Sequence, residues 1–182
     1  DVAIVGCGNV AMDCCRVARR VATGRVHLIY RRTLKEAPAD PEEIQAAMDE
    51  GVEFHFLTNP VSLLENEGTL TAVRLIKMEL TEPDGRGRLG VKPVPGSEFD
   101  LPVQTLIAAI GQKIDSESFE KETGLLFGRR GNVEVDPTQK TSLEGVFSAG
   151  DCATGPSTLI NALAGGQRAA NAIHQYLNRQ TP

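Results

Sequence analysis

Val2-Ala3-Ile4-Val5-Gly6-Cys7-Gly8-Asn9-Val10-Ala11 is the stretch on which the reading of this chain turns. Four apolar residues halted by a glycine have the pattern of a short strand buried in a parallel sheet. The GxGxxA segment Gly6 to Ala11 follows and opens a helix expected over about residues 9–22. In such a turn the first glycine allows the tight bend and the second lets backbone approach a pyrophosphate, while a small third residue lets the helix pack closely on the sheet. The unpaired N–H groups and positive dipole end of the helix then face the phosphates. A lone motif of this kind is weak, but here a strand precedes it and a helix and second strand follow. Gly6, Gly8, Asn9, Val10 and Ala11 are therefore expected to hold a dinucleotide.

Working outward, Val10, Cys14, Val17 and Val21 share one face of the expected helix, and Arg16, Arg19 and Arg20 crowd its C-terminal half, where the dipole favours cations. Gly24 ends it. Residues 26–30 form a second strand, residues 42–50 a helix with an acidic first turn, and residues 52–57 a third strand. The order β-α-β-α-β predicts an α/β, Rossmann-like, doubly wound sheet. Beyond it the pattern changes to an antiparallel meander: strands over 61–65 and 70–80 joined at Glu67-Gly68, then a polar tip over 82–90 carrying Pro83-Asp84-Gly85, and a last strand over 103–110. A short strand over 132–135, an apolar strand over 146–149 and a helix over about 157–177 complete the chain. The domain boundary is expected near residues 111–115.

The second strand runs into Arg31-Arg32. A site preferring NAD(H) has an acid about 20 residues beyond the motif, to accept from the ribose 2′-hydroxyl. Arg31 occupies that place. A guanidinium pairs with a 2′-phosphate through charge-assisted hydrogen bonds that a carboxylate would repel. Arg31 and Arg32, with Lys35 adding long-range attraction, therefore point to NADP(H). Read without the fold, the same residues are a solvated charge run.

Composition excludes other classes. Net charge is −5 and aromatic residues are 4% with no Trp, which argues against nucleic-acid partners. No apolar run of about 18 residues suggests a membrane span. Cys7, Cys14, Cys15 and Cys152 contain no CxxC pair; they read as small, reduced, mostly buried side chains, as in a cytoplasmic protein. His27, His55 and His174 are scattered over two strands and a helix and read as structural. No catalytic side chain and no metal site is expected.

Further motifs carry a family resemblance across essentially the whole chain. They are GCGNVAMD (residues 6–13), IYRR (29–32), GVEFHFLTNP (51–60), VPGSEFDLP (94–102), AIGQ (109–112) and GVFSAGDCATGPST (145–158). The chain resembles the two-dinucleotide-binding flavoproteins, the pyridine nucleotide–disulfide reductase superfamily, and within it the small (β) subunit of NADPH-dependent glutamate synthase. The resemblance implies an NADPH-binding domain over 1–112, inserted in an FAD-binding domain whose C-terminal part is 113–182. It implies that Gly6, Gly8, Asn9, Val10, Ala11, Arg31 and Arg32 hold NADPH and that Gly111, within AIGQ, belongs to the cofactor-binding set. Asp151 would accept from the ribityl chain of FAD, and Pro156, Ser157 and Thr158 would lie at a helix N-terminus beside the flavin ring.

The implied activity passes hydride from NADPH to FAD and electrons on to a partner, such as a large subunit or a ferredoxin-type protein. Ferredoxin- or sulfide-linked relatives, a dihydropyrimidine dehydrogenase-like flavin half, and a non-catalytic nucleotide-binding adaptor are the alternatives. The family's upstream GxGxxG strand for FAD has no counterpart here, and Asp1 stands directly before the first core strand. The chain is therefore expected to be a fragment, inactive and weak in FAD binding alone. An apolar stripe of Leu159, Leu163, Ala170, Ile173 and Leu177 is expected to drive homo-oligomerisation or to leave its segment mobile.

Overall fold

The computed structural model describes residues 1–83, 89–112, 114–116, 119 and 123–180. It comprises two compact units, Asp1–Ile110 and Gly111–Pro182.

In the first unit the elements run β1 (Val2–Val5), α1 (Asn9–Val21), β2 (Val26–Tyr30), a 3-10 turn (Leu34–Glu36), α2 (Pro41–Asp49), β3 (Glu53–Phe56), β4 (Thr58–Asn66), β5 (Thr69–Pro83), β6 (Leu89–Pro93), β7 (Phe99–Pro102) and β8 (Thr105–Ala108). Four strands form a parallel sheet in the order β3-β2-β1-β8. All five residues of β2 are buried, because this strand lies inside the sheet with both faces covered. Ile4, Val26, Leu28 and Tyr30 belong to a core shared with α1 and α2. Ala3, Val5 and Ile29, alternating with them, pack on Val73, Leu75 and Val103 from the antiparallel region.

That region pairs β4, β5 and β6 in order, with β7 also on β5. Glu67 and Gly68 both have positive φ, 50° and 76°, which suits the twist of a tight hairpin between β4 and β5. The strand β7 was not expected from sequence. Glu82, Pro83 and Gly90 lie in paired strand rather than in a tip; Asp84 and Gly85 fall outside the described residues. The expected strand over 103–110 contracts to Thr105–Ala108, since only these residues pair with β1.

The face of α1 that holds Val10, Val17 and Val21 is not the one packed on the sheet. Val10, Val17 and Val21 are 65%, 59% and 75% exposed, whereas Ala11, Met12, Cys15 and Ala18 are buried. The glycine turn brings the helix close to the sheet, and the side with Ala11, Cys15 and Ala18 tolerates that approach. The branched valines would hold the helix away. Salt bridges from Arg16 to Glu43 (2.6 Å) and Glu50 (2.8 Å), and from Arg20 to Glu50 (3.0 Å), join α1 to α2 and its C-terminal end.

The second unit contains α3 (Asp151–Thr154) and α4 (Leu159–Gln180). The strands expected over 132–135 and 146–149 are reduced to isolated antiparallel bridges, Phe127 to Val133 and Lys140 to Phe147. Their polar groups are used elsewhere. Val133 N–H donates to Cys152 O (2.8 Å), and Asn132 Nδ2 donates to Ala153 O (2.8 Å), seating α3. Phe147 meets Tyr176 of α4 edge-on, with centroids 6.0 Å apart. Ala169 and Ala172 are buried, while Leu159, Leu163, Ala170, Ile173 and Leu177 are exposed. Among the described residues no helix is long and apolar enough to cross a membrane.

Candidate dinucleotide site

The turn after β1 is fixed from both sides. Gly6 N–H donates to Ile29 O (3.0 Å), and Ala109 N–H donates to Val5 O (2.8 Å). Gly6 has φ of +125°, and a Cβ on it would collide with the Ala109 carbonyl oxygen. Its glycine identity is therefore demanded by close approach to the end of β8 as much as by the bend. Gly8 caps α1 with extended backbone and no side-chain cap, and its carbonyl accepts from Ala11 and Met12 N–H. A Cβ at Gly8 would come no nearer than 4.0 Å to Pro38, so the missing side chain leaves approachable space. Asn9 and Val10 N–H find no acceptor among the described residues, and the first turn of α1 carries no acid. This is a helix N-terminus open to an anion, with room for backbone contact.

A second wall comes from the loop before α2. Ala39 N–H donates to Cys7 O (3.1 Å), and Asp40 N–H donates to Asn9 Oδ1 (2.9 Å). Asn9, expected to serve the dinucleotide, thus has its side-chain oxygen engaged by this loop. Burial pushes the Cys7 thiol up to about 11 and Cys15 to about 12, so neither is a nucleophile near neutral pH. Cys14 is half-buried, and Cys152 is exposed, contrary to its expected burial, because α3 is one short surface turn.

Arg31 and Arg32 differ sharply. Arg31 is exposed and forms no hydrogen bond or ion pair among the described residues. Arg32 is buried; its Nε donates to Leu89 O (3.0 Å) and its carbonyl accepts from Leu57 N–H (3.0 Å). Lys35 is exposed in the 3-10 turn, whose geometry is fixed by Tyr30 Oη donating to Glu36 O (2.7 Å) and Thr33 N–H donating to the Glu36 carboxylate (3.1 Å).

The remaining predicted residues lie in the second unit. Gly111 has φ of +88° and open space around it. Asp151 starts α3 and is exposed, as are Pro156, Ser157 and Thr158. Thr158 Oγ1 accepts from Asn161 N–H (3.3 Å) and Ser157 Oγ accepts from Asn161 Nδ2 (2.8 Å), an arrangement that caps α4.

One grouping was missed. His27 and His55, read as scattered, meet because β2 and β3 pair in parallel with His27 beside Glu53 and Ile29 beside His55. His27 Nδ1 lies 3.1 Å from His55 Nε2 and 3.2 Å from Glu53 Oε2. The alternation of His27 with Ile29, and Glu53 with His55, was the available signal, but it needs the strand register to be read.

A parallel sheet with a glycine turn opening onto a bare helix N-terminus defines a Rossmann-type nucleotide-binding protein. The family model for pyridine nucleotide-disulphide oxidoreductases matches residues 1–166, and the chain belongs to that family. It is 46% identical over 99% of its length to the NADP(+)-dependent formate dehydrogenase subunit beta of Moorella thermoacetica. It is 37% identical over 97% to the NADPH-Fe(3+) oxidoreductase subunit beta of Geobacter sulfurreducens, and 35% identical over 96% to the glutamate synthase [NADPH] small chain of Azospirillum brasilense. The chain spans 25%, 30% and 36% of these three relatives. The fold also matches a thioredoxin reductase of T. acidophilum, with TM-score 0.77 at 20% identity, over 98% of this chain and 52% of the other.

Proposed function

We propose that residues 1–112 bind NADPH and that residues 113–182 are the C-terminal part of a split FAD-binding domain, in an oxidoreductase that passes electrons to a partner. The observation that carries this reading is the bare N-terminus of α1 behind Gly6 and Gly8, with exposed Arg31 at the end of β2. The Asn9 and Val10 N–H groups would donate to the pyrophosphate, and the helix dipole would add to them. Arg31 would hold the 2′-phosphate through charge-assisted hydrogen bonds. Arg32, its Nε already donating to Leu89 O, would position the strand end. The Ala39–Asp40 loop would keep Asn9 oriented across the turn. When bound, NADPH supplies a hydride to the flavin; the protein supplies orientation and electrostatics.

In the second unit, Asp151 would accept a hydrogen bond from the FAD ribityl chain. The α4 N-terminus behind Pro156, Ser157 and Thr158 would favour negative charge on the flavin ring. The three relatives above are named as NADPH or NADP(+) enzyme subunits with different reactions. We therefore assign the electron acceptor to the partner subunit, with a glutamate synthase-type large subunit as one such partner and formate dehydrogenase-type assembly as another. The exposed Cys152 and the free Cys14 suit a reducing compartment, the cytoplasm. Titrating NADPH and NADH against the purified protein tests the reading: NADPH should bind more tightly by an order of magnitude or more, and equal affinities would remove it.

A further inference from the structure

We propose that His27, Glu53 and His55 form a binding site for a divalent transition-metal ion of the zinc type, clipping edge strand β3 to β2. One donor atom from each of the three lies within 4.8 Å of the other two. His27 Nδ1 is 3.1 Å from His55 Nε2 and 3.2 Å from Glu53 Oε2. Ligand bonds of about 2.0–2.2 Å around one tetrahedral ion need donor separations only slightly larger than these. Two imidazoles and a carboxylate, with a position left for water, are a donor set that zinc and its neighbours accept.

Two features of the cluster favour an ion over a purely structural role. His27 Nδ1 faces both a second imidazole nitrogen and a carboxylate, and one ring proton cannot serve both well. His27 is 1% exposed and its Nε2 finds no partner among the described residues, so the ring is held at a cost in desolvation with its polar capacity half used. A cation among the three groups would draw on all of them at once. Access is through Glu53, whose side chain is 47% exposed on the edge strand. The nearby cation Lys77 is drawn aside, with Nζ 3.4 Å from Thr58 Oγ1 and 4.9 Å from the centre of the Phe99 ring. Because His27 Nε2 has no acceptor among the described residues to support a ligating ring, micromolar affinity is expected rather than that of a fully buttressed zinc site.

Cobalt(II) reports the site directly. Titrated into the purified protein, it should give visible d–d bands saturating at one equivalent, without a near-ultraviolet thiolate band, and zinc should displace it. Glu53→Gln and His55→Gln should each weaken binding by about 10-fold or more. Zinc should raise the melting temperature of the parent but not of either variant. Glu53 is exposed, so E53Q keeps the test valid if H55Q fails to fold. Absence of stoichiometric cobalt bands, a thiolate band showing that cysteine is the ligand, or unchanged affinity in a folded E53Q would each overturn the proposal.

Discussion

At Gly6 and Arg32 single side-chain choices are dictated by backbone nearby. Gly6 combines a φ of +125° with the Ala109 carbonyl where a Cβ would stand. Gly6→Ala must therefore strain the turn or push β8 away, at a cost of about 2–4 kcal/mol in unfolding free energy. Urea unfolding measures this, and a loss below about 0.5 kcal/mol would contradict it. Arg32 is buried and donates to Leu89 O. Arg32→Met keeps the apolar stem and removes the donor, so it should lower stability by about 1–3 kcal/mol for the unpaired carbonyl, while NADPH selectivity persists. Loss of that selectivity in a folded R32M would instead make Arg32 a ligand for the 2′-phosphate. The sequence could not separate the two arginines. Adjacent residues leave a strand end in different directions, and only the position of β6 shows which one is taken inward.

At the scale of elements, α1 packs against the sheet and α2 through Ala11, Met12, Cys15 and Ala18. Met12 is fully buried and Val17 is 59% exposed. Met12→Ala should cost about 2–5 kcal/mol, whereas Val17→Ala should stay within about 0.5 kcal/mol. The reverse order in chemical denaturation would restore the helix face suggested by Val10, Val17 and Val21. The junction of α1 with α2 is acid-sensitive. Hydrogen bonds from Arg16 and then Arg20 hold the Glu50 carboxyl below its ordinary value of 4.5. A carboxylate lowered in the folded state stabilises fully above its unfolded value and loses that contribution as pH falls through the folded one. The parent should thus lose stability through and below pH 4.5 more steeply than Glu50→Gln; parallel acid limbs in urea midpoints would count against this. The order β1-α1-β2-α2-β3 was legible because β1 and β2 are short, mostly apolar segments, β3 has β-branched and aromatic residues on either side of its polar ones, and each helix is followed by a glycine, Gly24 and Gly51. The face of α1 was not, because it is set by how near the glycine turn draws the helix, which favours small residues over hydrophobic ones. The strands over 132–135 and 146–149 misled for a related reason: apolar alternation makes a strand only where a neighbouring ladder takes its backbone groups.

For the whole molecule, the parallel sheet and the turn after β1 lie within residues 1–166, the span that the oxidoreductase family model matches. The antiparallel region buries the sheet's second face. On α4 the stripe Leu159, Leu163, Ile173 and Leu177 is exposed, and we expect copies of the protein to associate through it. Leu163→Glu should lower the mass seen by light scattering, and a monodisperse monomer for the parent would remove that expectation. The central claim is that the N-terminus of α1 and Arg31 together select NADPH. Its most direct test is calorimetric titration of NADPH and NADH into the parent and Arg31→Glu at low and physiological salt. Charge-assisted hydrogen bonds to a phosphate are worth about 1.5–3 kcal/mol each, so the parent should prefer NADPH by about 10-fold or more, most strongly at low salt. In R31E, NADPH binding should weaken by at least that factor while NADH binding changes little. Equal affinities in the parent, or selectivity unchanged in R31E, would contradict the account.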